Sequence, residues 1–269
     1  MIDIQSFLNI LIESILMIPL FWGLFFLGGF LLVLILSIEK ATRKGVNKDD
    51  IFMFVTVSAL SGLLGARIFY LLLNQIPVDL ETALSWGEVF YAGNVHIIGG
   101  YLGAVIAGWL YLQGFSVIQR SRMSWLRFLD SFLYIVPLGM MIGYLGVFIT
   151  NPSTGIESSI IYPWTIFIGN TTIHPWALYV SSAYLLLFMI LVILHNKMYD
   201  FRRPGYLTSF FVIGVSAIHF ITDFWYKPDS LYESAQTVGL TMTQWFSLGV
   251  LCIAGLTILF MREKKLKEA

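Results

Sequence analysis

The chain has 269 residues, of which 58% are hydrophobic and only 12% are charged, and its mean hydropathy is +0.80. A chain this apolar is not a soluble globular domain, so the composition predicts a polytopic membrane protein. The formal net charge is zero, and nothing in the composition indicates a nucleic acid as partner.

Several apolar runs are long enough to cross a bilayer, since ~20 helical residues span ~30 Å of hydrocarbon. In chain order, the seven runs cover roughly residues 15–38, 51–73, 95–113, 128–150, 174–195, 206–226 and 242–261. They predict an all-α fold, a membrane bundle of seven transmembrane helices. Because no linker, repeat or low-complexity segment separates them, we expect a single integral membrane domain over residues 1–269.

The basic residues fall in alternate loops between these runs. Fourteen of the sixteen Lys and Arg residues lie in those loops or in the C-terminal tail. By the positive-inside rule these segments face the cytoplasm, which places the N-terminus outside and the C-terminus in the cytoplasm. The fourteen are Lys40, Arg43, Lys44, Lys48, Arg120, Arg122, Arg127, Lys197, Arg202, Arg203, Arg262, Lys264, Lys265 and Lys267.

The longest connections, residues 74–94 and 151–173, face outside in this topology. Both are rich in aromatic residues and proline. Aromatic side chains favour the level of the lipid headgroups, so we expect both loops on the outer membrane surface, with room for a short interfacial helix. Cys252 is the only cysteine, which excludes an internal disulfide and a multi-cysteine metal site. We expect it in the core, and we expect neither a metal ion nor a cofactor.

Four ionisable residues lie inside the apolar runs, where each is costly and by default indicates a site. Arg67 follows small residues in the segment GLLGAR, so a lipid headgroup or a neighbouring helix can approach it; a buried ion pair with Asp130 is the alternative. His219 and Asp223 are four residues apart and share one helix face. They fit a histidine base oriented by a carboxylate, or equally a structural pair.

Two further histidines stand at the outer ends of predicted spans. His96 precedes the segment IIGGYLG, where Gly99 and Gly100 leave the backbone open. His174 begins the segment HPW, in which Pro175 suits a first helical turn. The segment GYLGVFITN, residues 143–151, pairs two glycines with a polar exit, and it fits either a packing seam or a site.

The order and spacing of several segments resemble the prolipoprotein diacylglyceryl transferase family over nearly the whole chain. The segments are PLFWGLFFLGGF, GLLGARIFYLLLN, HIIGGYLGAVIAG, DSFLYIVPLGMMIGYLGVFITN, HPWALY, RRPGYLTSFFVIG, FITDFWYKPD and GLTMTQWFSL. The resemblance implies a multi-pass enzyme of the cytoplasmic (inner) membrane. Such an enzyme moves diacylglycerol from phosphatidylglycerol onto the lipobox cysteine of a prolipoprotein, forming a thioether and releasing glycerol phosphate.

The chain also departs from the family pattern. Where the family reads GRxGNFING, this chain has Tyr144 in place of the arginine and Val147 in place of the first asparagine. The family histidine before the paired glycines becomes Ile98. In the sixth span the arginine becomes His219 and the following glutamate becomes Asp223. Two family tyrosines become Trp22 and Val215, whereas the pattern is kept at Arg67, Asp130, Gly99, Gly100, His174, Pro175, Tyr179, Asp229 and Gln244.

These comparisons suggest roles for the remaining polar residues. Arg67 is expected to clamp the lipid phosphate, His219 with Asp223 to act as base or cation, and His96 to stand in for the missing histidine. Histidine is charged over only part of the physiological pH range, whereas arginine always is. A transferase with another acceptor or headgroup, or a non-catalytic binder of lipid or precursor, therefore remains open. The expected substrate-binding residues are Arg67, Gly99, Gly100, Asp130, Tyr144, Gly146, Asn151, His174 and Tyr179.

Overall fold

The computed structural model describes residues 18–76, 95–114, 124–168, 170–198, 204–227 and 239–267, with side chains from residue 22 to residue 254 of these ranges. Family-pattern residue Asp229 and most of the loop 74–94 lie outside them. The described chain is mostly helical. Its helices are α1 (Ile18–Thr42), α2 (Lys48–Leu73), α3 (Ile97–Gly114), α4 (Trp125–Asp130), α5 (Val136–Thr150), α6 (Trp176–Met198), α7 (Tyr206–Thr222) and α8 (Met242–Lys267).

Each of the predicted apolar runs overlaps one of these helices, and the chain is a helical membrane protein. Within the described residues, five segments are long and apolar enough to cross a membrane, and two apolar helices are shorter. Cys252, which we expected in the core, is exposed on α8. The five long segments are Trp22–Thr42, Lys48–Leu73, Trp125–Thr150, Trp176–Lys197 and Tyr206–Trp225; the shorter ones are Ile97–Gln113 and Met242–Ala254.

The fourth predicted run is not one continuous helix. The short helix α4 ends at Asp130, and a 3-10 turn over Leu133–Ile135 leads into α5. Pro137 occupies the first turn of α5, where a missing N–H group leaves no intrahelical bond unmade. Because of this interruption, the end of α4, which carries Asp130, contacts the start of α7.

Helices α2 and α3 cross at a seam of glycines. Cβ atoms at Gly65 and Gly99 would each collide with the carbonyl oxygen of the other residue, so neither position has room for a larger side chain. A Cβ at Gly100 would lie in ordinary contact, 3.6 Å from the Cβ of Ala66. Small residues of this kind allow membrane helices to approach closely. The seam holds the start of α3 against the C-terminal half of α2.

A second close approach joins α1 to α5 and explains part of the segment GYLGVFITN. A Cβ at Gly139 would lie 2.9 Å from the carbonyl oxygen of Gly29, and one at Gly146 would lie 2.5 Å from the Cβ of Phe25. By contrast, a Cβ at Gly143 would meet nothing within 4 Å. Of the two glycines in this segment, Gly146 is therefore the packing residue.

The connection between α5 and α6 contains a β-hairpin and a 3-10 turn over Pro152–Thr154, where we had allowed for a short interfacial helix. Strand β1 (Ile166–Ile168) pairs antiparallel with β2 (Thr171–Ile173), with Ile166 opposite Ile173. Single bridges join Gly155 to Tyr226 and Glu157 to Ile173. The hairpin is a small addition to an all-α membrane bundle, and the Gly155–Tyr226 bridge ties this connection to the segment that follows α7.

Candidate functional site

Three helices bring a histidine and two tyrosine hydroxyls together in the interior of the bundle. His219 Nε2 lies 2.8 Å from the hydroxyl of Tyr101 and 2.7 Å from that of Tyr184. The two hydroxyls are 3.0 Å apart. The three residues come from α7, α3 and α6, so this triangle of polar atoms joins elements that are distant in sequence.

The side chains of the triangle are buried to different degrees. Tyr184 is 0% exposed and His219 is 2% exposed, whereas Tyr101 is only partly buried. Both tyrosine rings meet the imidazole edge to face, with centroids 5.8 and 5.9 Å away. Such edge-to-face pairs stabilise the arrangement beyond the area they bury. The hydroxyls are thus held in place by ring packing as well as by their hydrogen bonds.

Tyr144 adds a fourth ring to this cluster from α5. Its ring stacks on Tyr184 at a centroid distance of 5.6 Å and lies 6.2 Å from His219. On another side it meets Trp176 edge to face at 5.7 Å. The segment GYLGVFITN is therefore both a packing seam, through Gly146, and part of the polar cluster, through Tyr144.

Asp223 stands one turn beyond His219 and is 5% exposed. Its carboxylate interacts electrostatically with Tyr101, Tyr144 and Tyr184. The Nε2 atom of His219 itself bonds to the two tyrosine hydroxyls, so the groups that contact this nitrogen come from α3 and α6. Asp223 contacts His219 through the backbone, where its N–H donates to the His219 carbonyl at the end of α7.

Arg67 is buried in the C-terminal part of α2, with 1% of its surface exposed. Its guanidinium carbon lies 5.7 Å from the ring centroid of Tyr70. Arg67 and Asp130 do not form the ion pair that the sequence offered as an alternative. The ring of Phe54 in α2 lies 5.2 Å from the ring of Phe128 in α4, two residues before Asp130. Phe54 is therefore the part of α2 that lies at the same height in the bundle as Asp130. Arg67 is thirteen residues further on, or ~20 Å at 1.5 Å per residue.

Asp130 instead holds the N-terminus of α7. Its Oδ2 accepts a hydrogen bond from the Gly205 N–H at 2.6 Å, and its Oδ1 accepts from the N–H and hydroxyl of Thr208 at 2.8 and 2.7 Å. Gly205 has a φ of 93°, a conformation that favours glycine. A carboxylate beside the first N–H groups of a helix satisfies them and complements the helix dipole. This contact fixes the helix that carries His219.

His96 also makes a contact at a helix start. Its Nδ1 accepts a hydrogen bond from the Ile98 N–H at 3.3 Å, and its own N–H donates to the Ala66 carbonyl at 3.0 Å. The ring lies 5.1 Å from that of Phe69. His96 thereby fastens the start of α3 to α2, close to Arg67.

The remaining predicted residues lie at the end of the bundle where α5 ends and α6 begins. His174 Nδ1 is 3.1 Å from the hydroxyl of Tyr179. Asn151 Oδ1 accepts a hydrogen bond from the Ser153 hydroxyl at 2.7 Å, which shapes the turn after α5. Nearby, the indole N–H of Trp176 and the hydroxyl of Thr154 are buried and lack a hydrogen-bond partner among the described residues. Two buried polar groups are thus available to a ligand's oxygen atoms.

No metal centre is evident in the part of the chain that the structure describes. Its His, Cys, Asp and Glu side chains form no group of three or more that could hold a metal ion. The polar groups gathered around His219 are hydroxyls, an imidazole and one carboxylate. These groups can donate, accept and pass protons.

Comparison with known proteins identifies the family. The family model described as "Prolipoprotein diacylglyceryl transferase" matches residues 11–261. The chain belongs to the prolipoprotein diacylglyceryl transferase family. It is 26% identical over 232 residues to a protein of Erythrobacter litoralis, covering 82% of this chain and 76% of that protein. It is 29% identical to one of Nitrosomonas europaea, with coverages of 89% and 84%, and 28% identical to one of Azoarcus sp., with coverages of 88% and 88%.

All three relatives carry the name phosphatidylglycerol–prolipoprotein diacylglyceryl transferase. Compared with the family pattern that the resemblance gives, the chain lacks two arginines, and the two positions lie close together in the structure. Tyr144 and His219 are those two positions, and their rings face each other across 6.2 Å. The loss of the two arginines of the prolipoprotein diacylglyceryl transferase pattern is therefore one local change in the site.

Tyr101 and Tyr184 were missed by the sequence reasoning. Each is a tyrosine in an apolar helix, which is an ordinary feature of a membrane interior. One signal existed for Tyr101, which lies three residues after Ile98 and so shares its helix face. A polar group lost at one position of a face can be supplied a turn further along it. For Tyr184 the sequence offers no such signal.

Proposed function

We propose that this protein transfers a diacylglyceryl group from phosphatidylglycerol, or a related glycerophospholipid, to the lipobox cysteine thiol of a prolipoprotein. The reaction forms a thioether and releases glycerol phosphate. The observation that carries the proposal is the family match over residues 11–261. A buried polar cluster inside a membrane bundle also suits a lipid substrate, because its hydroxyls and imidazole can act on a headgroup drawn out of the bilayer.

Arg67 is the proposed binding residue for the lipid phosphate. A guanidinium offers a planar fork of N–H donors that matches a phosphate, and a buried one interacts more strongly than one in water. The start of α3 at Gly99 and Gly100 lies against the same part of α2, so the positive end of that helix's dipole lies near the guanidinium. These groups together would hold the anionic end of the donor.

The cluster around His219 is the proposed reaction centre. His219 and Asp223 are the proposed catalytic side chains, and Tyr144 is proposed to contact the lipid beside them. Trp176 supplies a buried N–H donor next to Tyr144, which supports a ligand oxygen at that position. The hydrogen bonds of His96 and Asp130 support structural roles, which would position the site from either end.

The outer hairpin and the start of α6 are the proposed approach for the precursor. His174 and Tyr179 lie there, beside a run of exposed large side chains on the connection before α6. Tyr162 stacks on Trp164 at 5.3 Å with nearly parallel rings. Aromatic side chains at this level suit the outer membrane interface. The lipobox cysteine follows an apolar segment of its precursor, so it would arrive from this side within the bilayer.

We further propose one domain of seven spans in the cytoplasmic (inner) membrane, with the N-terminus outside and the C-terminus in the cytoplasm. The asymmetry of Lys and Arg supports this topology. Reporter fusions after Asn47 and Lys265 should give cytoplasmic signals, and a fusion after Ser158 should give an external one. A cytoplasmic signal at Ser158 would overturn the topology.

Complementation tests the function. Expression of the chain in a strain depleted of its own transferase should restore growth, and mass spectrometry should find diacylglyceryl on the N-terminal cysteine of a lipoprotein. Purified protein should transfer the same group from phosphatidylglycerol to a lipobox peptide. If the folded protein binds lipid but neither assay detects transfer, it is a non-catalytic binder and the proposal is wrong.

A further inference from the structure

The triangle of His219, Tyr101 and Tyr184 is a closed unit that shares protons. One imidazole nitrogen faces two hydroxyls at 2.7 and 2.8 Å, and the hydroxyls are 3.0 Å from each other. A tyrosine hydroxyl can donate one hydrogen bond while it accepts another. When one hydroxyl accepts a proton, it can therefore donate its own proton to the imidazole at the same time.

One member of the triangle is less buried than the other two. Tyr184 and His219 are fully enclosed, whereas Tyr101 keeps part of its surface exposed. A substrate group would therefore approach the triangle from the side of Tyr101, not through Tyr184 or His219. Tyr101 is the entry to the triangle, and Tyr184 lies behind it.

His96, the other histidine considered for a base, is less suited to accept a proton. Its Nδ1 already accepts the N–H of Ile98. In the neutral ring the proton then sits on Nε2, which leaves no free acceptor nitrogen. Ile98 itself carries no polar group. These observations leave the triangle as the better proton acceptor near the start of α3.

We propose that Tyr101 and His219 form a proton relay that takes the proton of the acceptor thiol, and that Tyr184 keeps these two side chains in position. This inference rests on the proposed diacylglyceryl transfer. It makes Tyr101 a catalytic residue, because its hydroxyl contacts the reacting thiol. Tyr184 is a positioning residue that acts through the other two.

The relay conserves atoms and charge at every step. The thiol proton moves to the oxygen of Tyr101 as that hydroxyl's own proton moves to His219 Nε2, which leaves a thiolate and an imidazolium. The thiolate sulfur forms a bond to the glyceryl carbon of the donor, and the bond from that carbon to the phosphate oxygen breaks. The proton returns through Tyr101 to the departing phosphate, so the enzyme ends in its starting state.

The charged and titratable groups around the relay fit this cycle. Tyr144 of α5 and Tyr184 of α6 face His219 with their rings. Asp223, at the end of α7, is the acidic group that interacts with the tyrosines. A carboxylate one turn along the helix from His219 is of the sign that stabilises a transient imidazolium. The thiolate is the nucleophilic form of cysteine, so the relay generates what the reaction needs.

The test compares two acceptors with the full-length protein in phosphatidylglycerol-containing vesicles. One acceptor is a fluorescent lipobox peptide with cysteine, and the other is the same peptide with selenocysteine. A selenol is ionised at neutral pH and needs no proton acceptor. The variants are Tyr101→Phe and Tyr184→Phe, which keep the rings and remove only the hydroxyls. Tyr111→Phe, a buried tyrosine of α3 that packs on Phe54, is the matched control.

We expect Tyr101→Phe to slow transfer to the cysteine peptide by about 100-fold, the usual size of a general acid–base contribution. Tyr184→Phe should slow it by about 3- to 10-fold, as for one hydrogen bond. Transfer to the selenocysteine peptide should change less than about 3-fold in both variants. Tyr111→Phe should leave both rates unchanged, and folded yield is recorded for every variant.

Each other outcome decides against the relay. If Tyr101→Phe slows both peptides equally, the hydroxyl binds lipid or supports the fold, and the relay is wrong. If it slows neither, the hydroxyl has no part in transfer. If the wild-type protein transfers to neither peptide, the proposed function itself fails, and that result is distinct from a selective loss.

Discussion

The rings of Tyr144 and His219 face each other with centroids 6.2 Å apart, although 75 residues separate them in sequence. The resemblance to the transferase family places an arginine at each of these positions. Both replacements are uncharged or titratable aromatic side chains, and they pack together with Tyr184. Relative to that pattern, a packed cluster stands in place of two fixed charges, so the two positions should behave as one unit.

A first prediction follows for His219→Arg. An arginine is longer than the imidazole it replaces, and the space around it is filled by rings, so overpacking should cost about 1–3 kcal/mol of stability. Adding Tyr144→Ala removes one of those rings and should recover part of the loss. Thermal unfolding in detergent measures both variants. In the control double variant, Phe224→Ala at an exposed position takes the place of Tyr144→Ala. If the stability effects of His219→Arg and Tyr144→Ala are strictly additive, the two positions are not coupled.

The pH dependence of transfer gives a second prediction. The relay accepts a proton only when His219 is neutral, so the rate with the cysteine peptide should rise with pH and then level off. In His219→Gln no group takes the thiol proton, and transfer must wait for the thiol to ionise by itself, near pH ~8.5. The rising part of the pH–rate profile of His219→Gln should therefore lie at higher pH than that of the wild-type protein. Superimposable profiles for the two proteins would remove His219 from the relay.

Arg67 provides a third prediction. If its guanidinium binds the lipid phosphate through two parallel hydrogen bonds, Arg67→Lys keeps the charge but loses the fork. Transfer should fall by roughly 10- to 100-fold, which corresponds to a charge-assisted bond. Lipid that co-purifies with the protein, measured by mass spectrometry, should decrease as well. Arg43→Lys is the matched control, since Arg43 is exposed and pairs with Glu39; equal effects of both substitutions would contradict the phosphate contact.

The two glycines of GYLGVFITN yield a fourth prediction, because they differ only in their surroundings. A Cβ at Gly146 would lie 2.5 Å from the Cβ of Phe25, which cannot swing away, so Gly146→Ala should destabilise the protein by about 1–3 kcal/mol. Gly143→Ala has open space and should gain about 0.5–1 kcal/mol from lower backbone entropy. Thermal unfolding of both variants under one condition compares them directly. Equal shifts would mean that the α1–α5 seam is not tight.

Much of the architecture could be predicted from the sequence because hydrocarbon imposes a simple rule on helix length. The apolar runs located the helices, and the ionisable residues inside them located the buried polar groups. The break before α5 was harder to foresee. Pro137 is compatible with a continuous span as well as with a new helix start, since proline is tolerated in membrane helices whose neighbours satisfy the backbone.

The partners of the polar residues could not be predicted, because they depend on which helices meet. Sequence spacing pairs His219 with Asp223 on one helix face, yet the imidazole bonds to tyrosines on two other helices. The spacing likewise gives no indication that Asp130 and Arg67 lie at different levels of the bundle. Local periodicity determines which side of a helix a residue occupies, and only tertiary packing determines what lies opposite.

Asp130 gives the last prediction, and it separates a structural role from a substrate contact. Its carboxylate accepts three hydrogen bonds from the start of α7 at 2.6 to 2.8 Å. Asp130→Ala removes all three and should lower stability by about 0.5–2 kcal/mol, the usual cost of losing a helix cap. Asp130→Asn keeps acceptor oxygen and should cost less. Asp49→Ala, at an exposed position in the first turn of α2, is the control.

The kinetic constants distinguish the two roles of Asp130. A residue that only caps α7 should leave KM for phosphatidylglycerol unchanged once the rate is corrected for the folded fraction. A residue that binds the lipid would raise that KM with little change in unfolding temperature. Because the capped helix carries His219, a modest fall in kcat is consistent with the cap, since a small shift of α7 would move the imidazole relative to Tyr101. A raised KM together with unchanged stability would show that the carboxylate contacts substrate instead.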